Sequence, residues 1–423
     1  IMKRLKSILV IVMSFTMVAS LFVGCSKGEE KKDAAKSSGK EITFMIPEWG
    51  APSQEMLNEF EKESSIKVKV NTVSWDDIRD KISVSAAGKT APADVVEVDW
   101  SWVGEFQSAG WLEPLKISKE DIEDMPSIQS FMVNDEVLAV PYANDFRIAY
   151  YNTEHFKKAG IDAEPKTWDD IYNYSKKIKE DNVTKYPYAI PLSAEESTTT
   201  SLIWLAFAKN GVVFNDDNTL NKESVLDALK YIDKLNKEGL VDPINRTSKG
   251  MDAYRKLTKG EASMLIGPTS FVGRVNDPKE SQVVDKVTPI MLPGKSDKSD
   301  KTMALPEGIG VTKYSKNKEA AEEFVKWYTS AKMQEQLFEK NNSIPTRTTV
   351  LEKLIKENKI KNSGAMLEQS KLIKSPFPKG VPNYYTEMST AMFNAVNKMV
   401  NGELTPEEAY NQMETKINEL AKK

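Results

Sequence analysis

The chain has one cysteine, Cys25, and one histidine, His155. Those two residues bound its chemistry. Thiol–imidazole catalysis, Ser-His-Asp triads and His-based zinc sites are hard to assemble from a single imidazole. No GxxxxGK[ST] or GxGxxG run stands at a strand-to-helix junction, so the sequence offers no phosphate or dinucleotide cradle. What remains is 62 acids, 8 Trp and 14 Tyr. Some of them cluster just past apolar, strand-like runs: Glu48-Trp49 after Pro47, and Asp99-Trp100-Ser101-Trp102 after Val98. Each carboxylate oxygen is a strong hydrogen-bond acceptor, and an indole presents a broad apolar face. Paired carboxylates also hydrolyse glycosidic bonds, and 62 acids always supply a pair.

Cys25 has its own context. Met2-Lys3-Arg4-Leu5-Lys6 is a short basic start, and Ile8 to Val23 is a mostly apolar run of 16 residues. That is signal-peptide length and short for a membrane-spanning helix. Val23-Gly24 precede Cys25, Phe22 stands three residues before it, and a Lys/Glu/Ser/Gly-rich stretch follows. The segment resembles a bacterial lipoprotein signal. The resemblance implies a signal peptide over residues 1–24, cleavage before Cys25, and lipid on its thiol. Residues 25–40 become a flexible tether to the membrane. The mature protein would then sit on the outer face of the cytoplasmic membrane, extracellular or periplasmic.

The mature chain, roughly 400 residues, exceeds one ordinary core and implies two domains. Its formal charge is −4 with the leader and −7 without Lys3, Arg4 and Lys6, which disfavours nucleic acid as a partner. No cysteine is left for an internal disulfide. Glu41–Ile46, Ile66–Val70 and Ala93–Val98 read as strands, separated by helical patterns over Ser53–Lys62, with Ser53 as cap, and Trp75–Ala87. Such a βαβαβ order predicts right-handed crossovers and a parallel sheet. Further on, Val137–Tyr142, Ile148–Tyr151, Ala262–Ile266 and Val287–Met291 read as strands. Thr167 caps a helix with acids in its first turn. Ser197–Lys209, Ser224–Glu238, Ala253–Gly260, Lys318–Ser330 and Glu407–Lys422 read as helices, and 293–302 as a linker. Trp111, Trp168 and Trp327 are assigned to structure, and His155 to a solvated helix start.

Five segments in order carry a wider resemblance. They are Val137-Leu-Ala-Val-Pro-Tyr-Ala-Asn-Asp-Phe-Arg-Ile-Ala-Tyr-Tyr-Asn152, Phe156-Lys-Lys-Ala-Gly-Ile161 with Pro165-Lys-Thr-Trp-Asp-Asp170, and Lys259-Gly-Glu-Ala-Ser-Met-Leu-Ile-Gly-Pro268. Then come Gly308-Ile-Gly-Val311 with Ser315–Phe324, and Asn401-Gly-Glu-Leu-Thr-Pro-Glu-Glu-Ala409. Together, across residues 41–423, the chain resembles the extracellular sugar-binding proteins of ABC importers, the family of maltose-binding protein. The resemblance implies an α/β, two-lobe periplasmic-binding-protein-like fold (type II) with discontinuous lobes joined by hinge crossings. Lobe one would take 41–146 and 295–345, and lobe two 149–292 and 346–423. It implies capture of a carbohydrate, an oligosaccharide, by a non-enzymatic monomer that closes on it and delivers it to ABC transporter permease subunits. No cofactor and no metal are implied.

Under this resemblance the ligand lies beyond the strands' carboxyl ends, between the lobes. Glu48 and Trp49 become an acceptor and a stacking platform. Asp99, Trp100 and Trp102 follow the third strand, where the family commonly faces ligand. Asp145 aligns with an acidic hinge residue that contacts sugar, and Arg147 either shares its face or pairs with it. Thr269 stands where a stacking Trp occurs in maltose-binding protein, a departure from maltose-like recognition, and Phe271 is the nearby platform. Glu307 precedes a later strand, Tyr384 or Tyr385 presents an aromatic from the C-terminal lobe, and Trp204 lies on its helix toward the ligand. Two other readings stay open: the same fold with a polyamine or other charged solute, and a secreted glycoside hydrolase.

Overall fold

The computed structural model describes residues 40–361 and 363–422. The expected signal peptide, Cys25 and the tether up to residue 39 lie outside the described residues. The described strands are β1 (Lys40–Ile46), β2 (Ile66–Thr72), β3 (Val95–Asp99), β4 (Met132–Val133), β5 (Glu136–Val137), β6 (Val140–Ala143), β7 (Arg147–Asn152), β8 (Tyr188–Ala189), β9 (Met264–Pro268), β10 (Val287–Ile290) and β11 (Glu307–Val311).

The opening segment folds as its pattern predicts. Helices Gln54–Ser64 and Trp75–Ala87 separate β1, β2 and β3, and β1 pairs in parallel with both neighbours. The Ser53 hydroxyl caps the first helix by accepting from the Met56 N–H at 3.3 Å, satisfying a donor that has no partner inside the helix. Thr167 does the same for helix Trp168–Glu180, where Asp170 returns a bond to the Thr167 N–H at 2.9 Å.

Two main sheets result, ordered β2-β1-β3-β11-β6 and β10-β7-β9-β8. The first is mixed: β11 runs antiparallel to β3 and to β6. The sequence pattern predicts only the parallel part. β1 to β3 end at the side facing the second sheet, while β11 starts there, so it must run the opposite way.

The chain passes between the sheets through Asn144–Phe146, linking β6 to β7, and through 291–306, linking β10 to β11. A third passage, 342–347, joins helices Ala331–Asn341 and Thr348–Lys356. Hydrogen bonds tie the three together: Asn144 N–H to Ile344 C=O at 2.8 Å, and Leu305 N–H to Asp145 C=O at 2.6 Å. Phe146 and Ala304 form an isolated bridge beside them. Short crossings of this kind confine bending to a few backbone angles, which is what a hinge requires.

Each lobe has an aromatic-rich core. In the first, Phe324 meets Phe44 and Phe60 edge-on, with ring centroids 5.0 and 5.3 Å apart, and Trp327 packs half-buried at the rim. In the second, Trp168 stacks on Trp204 at 5.6 Å and meets Tyr231 edge-on at 5.4 Å. His155 departs from its expected solvated position. It is half-buried, Nδ1 lies 3.0 Å from the Ser263 hydroxyl, and burial lowers its pKa.

Candidate ligand-binding cleft

The cleft is built first from the ends of β1 and β3. Pro47 stops β1, and Glu48–Gly50 make a single 3-10 turn. That turn is pinned from behind by Asn341, which donates to the Trp49 carbonyl at 2.6 Å, and by the Tyr328 hydroxyl on the Gly50 carbonyl. The indole of Trp49 is left 50% exposed. Glu48 and Trp49 line a cavity of about 580 Å³ with Thr72, Val73, Trp75 and Glu307. Trp75 serves both cleft and core, since it lines this cavity and its ring centroid lies 4.8 Å from that of Trp102.

Asp99 closes β3 and caps the turn Trp100–Trp102, accepting from the Ser101 N–H at 2.8 Å and from the Ser101 hydroxyl. Trp100 is 6% exposed because it reaches across to the other lobe. Its ring meets Tyr385 edge-on at 5.0 Å and Phe377 at 6.4 Å. Tyr385 opens helix Tyr385–Val400, which packs on helices Glu196–Asn210 and Lys222–Lys237. Trp102 is buried between Trp75 and Phe106, so it supports the wall rather than facing the cleft.

The antiparallel register of β3 with β11 sets Asp99 directly opposite Glu307 and places Glu97 two pairs deeper, opposite Ile309. Glu97 is fully buried and accepts from the Tyr142 hydroxyl at 3.0 Å. Burial is the main cause that pushes Glu97 up to about 8, with Asp99 adding repulsion. Burial likewise raises Asp99 to about 6. Glu307 is raised well above the usual carboxylate range by burial, then by the charges of Asp99 and Glu97.

The far wall holds a carboxylate that the sequence reading missed. Glu196, at the start of helix Glu196–Asn210, takes the hydroxyls of Tyr385 and Ser389. Its surroundings push it up to about 7, burial first, with Asp99 adding charge from across the cleft. The residue still keeps exposed surface. Water therefore screens the carboxyl. The only sequence signal was an acid pair, Glu195-Glu196, opening a helix beyond a strand. Tyr384 sits half-buried beside Tyr385.

Asp145 lies in the first crossing. It pairs with Arg147 at 2.9 Å and accepts from the Thr269 N–H at 3.2 Å. Of the two roles open to Arg147, the structure selects the ion pair: the guanidinium is 4% exposed and lies 5.9 Å over the Tyr254 ring. Three further expected contacts, beside Trp102, lie in packing. Thr269 is fully buried because it anchors Asp145. Phe271 is fully buried against Tyr254. Trp204 is 1% exposed because it completes the aromatic stack with Trp168. Each is consumed by packing and offers no face to the cleft.

Among the described residues no group of three or more His, Cys, Asp or Glu side chains has a metal-ligating arrangement, and no helix is long and apolar enough to cross a membrane.

The family model described as bacterial extracellular solute-binding protein matches residues 46–335. The chain is similar to the galactooligosaccharide-binding protein of Bacillus subtilis, 24% identical over 91% of each chain. It is also similar to the maltooligosaccharide ABC transporter solute-binding lipoprotein of Streptococcus pneumoniae, 25% identical over 79% of each. Among solved structures, the sugar-binding protein MalE from Xanthomonas citri superposes with a TM-score of 0.78 at 19% identity, covering 90% of this chain and 98% of that one. That likeness is one of fold, and it carries the two-lobe, type II architecture described above. With the family match spanning more than half of its length, the chain belongs to the bacterial extracellular solute-binding proteins.

Proposed function

We propose that the protein captures a carbohydrate, in the form of an oligosaccharide, between two closing lobes and hands it to the permease of an ABC importer. Lobe one comprises 41–146 and 295–345; lobe two comprises 149–292 and 346–423. The observation that carries the reading is the convergence of aromatic faces and carboxyl groups from both sides of one cleft: Trp49, Trp75, Asp99 and Glu307 on one side, Glu196 and Tyr385 on the other. Pyranose rings offer C–H faces for the aromatics and hydroxyl donors for the carboxyls. Two relatives at 24% and 25% identity are named for oligosaccharides, which supports the same class.

Ligand that touches both lobes stabilises the closed form by its differential affinity, and that shape is the signal the permease reads. No bond is broken. The protein works as a monomer, held to the outer face of the cytoplasmic membrane by lipid on Cys25. A thermal-shift screen against mono- and oligosaccharides tests the reading. A sugar at about 100 times its dissociation constant should stabilise by about 2.7 kcal/mol. Silence across all sugars, or release of shorter sugars on incubation, would overturn it. Incorporation of labelled fatty acid, lost in Cys25→Ser, tests the anchor.

A further inference from the structure

The cleft carries more carboxyl groups than a neutral sugar needs. Glu48, Glu97, Asp99, Glu196 and Glu307 take part in no ion pair among the described residues; only Asp145 has one, with Arg147. Glu97 Oε1 and Glu307 Oε2 are buried and have no hydrogen-bond partner among the described residues. Carboxylates held this close in a poorly hydrated site repel, and burial together with that repulsion raises Glu97 and Glu307 above the usual carboxylate range. An independent observation concerns the cavity walls. The 580 Å³ space is lined by Glu48, Glu307, Trp49 and Trp75, with no Lys, Arg or His among its residues. Indole faces beside carboxyls form the environment that stabilises an organic cation, by cation–π attraction and by charge-assisted hydrogen bonds.

Resting on the carbohydrate reading above, we propose that the ligand is an amine-bearing carbohydrate whose ammonium group docks between Glu48, Glu307 and the Trp49 and Trp75 rings. The hydroxyls of a neutral sugar would satisfy the acceptors and leave the repulsion in place. An ammonium satisfies both. Its N–H donors are matched by the carboxyls of Glu48 and Glu307 that line the cavity, and the remaining ring hydroxyls are left to the rest of the cleft.

The test is isothermal titration of the purified protein at pH 6, where hexosamine nitrogens are protonated. The probes are tetramers of glucosamine and of galactosamine, their N-acetylated counterparts, maltotetraose and spermidine. An amine tetramer should bind at least tenfold more tightly than its N-acetylated counterpart. That advantage should shrink at high salt and in Glu48→Gln, which preserves shape while removing charge. Equal or weaker binding of both amines, with a neutral sugar bound, would overturn this inference and leave the carbohydrate reading standing. Spermidine binding as tightly as the amine tetramers would also overturn it, since the sugar frame would then add nothing. Failure of every oligosaccharide would overturn the carbohydrate reading itself.

Discussion

Asp99 and Glu307 face each other across the antiparallel pair of β3 and β11, at the end of both strands that meets the cleft. Opposed carboxyls at a cross-strand position are ordinarily destabilising. Here they persist where the chain passes between lobes, and they set the electrostatic character of the site.

Stability should fall as pH rises from about 5 to 8. Glu97 is pushed up to about 8 and Asp99 to about 6 in the folded protein, while both titrate near 4 when unfolded. Between those values the native state holds more protons than the unfolded one. The protons' contribution is complete below about pH 4 and is lost as pH passes through the folded values. Thermal melts from pH 5 to 9 measure this. Glu97→Gln should flatten the slope; an unchanged slope would sink the assignment.

Asp145→Ala should cost about 2–4 kcal/mol of stability, because it leaves the Arg147 guanidinium buried without its partner. The cost stays below that of a fully buried pair, since the Asp145 side chain retains 34% of its exposure. Denaturant unfolding reads it out. A loss near zero would mean that Tyr254 and the hinge carbonyls solvate the guanidinium unaided.

Trp204→Ala and Trp49→Ala should separate packing from binding. The first removes a fully buried ring from the Trp168 stack and should cost about 3–5 kcal/mol in stability. The second removes a half-exposed ring at the cavity, so it should leave the melting temperature nearly unchanged and weaken ligand by about 1–3 kcal/mol. The reverse pattern would return Trp204 to the cleft.

Gly104→Ala should hold the lobes apart. A Cβ there would come within 1.9 Å of the Val381 carbonyl oxygen and 2.7 Å of the Pro382 carbonyl carbon. Both are backbone atoms that cannot rotate away, so the segment carrying Tyr385 must retreat from Trp100. Small-angle scattering should show a larger radius of gyration, and titration a weaker affinity. Unchanged values in both would show that the contact does not govern closure.

Much of the fold was legible because its signals are local. The Ser53 and Thr167 caps, the alternation of β2 and the helix stop at Gly239, with φ of +63°, depend on residues within one turn of each other. The family likeness was legible because five such segments keep their order. Glu48, Trp49, Asp99 and Glu307 could be singled out from their places at strand ends.

The remainder depended on distance in space. Whether an aromatic on a helix faces ligand or core turns on what packs over it, so Trp204 and Phe271 could not be sorted from Trp75 and Trp100. Arg147 had two roles until burial chose the one that compensates its charge. Glu196 carried no motif, and only the packing of helix Tyr385–Val400 brings Tyr385 and Ser389 onto it. By itself the sequence determined the elements and supplied a surplus of acids. The tertiary structure decided which acids share a cleft without a cation, because charge balance belongs to neighbours in space and not to neighbours in the chain.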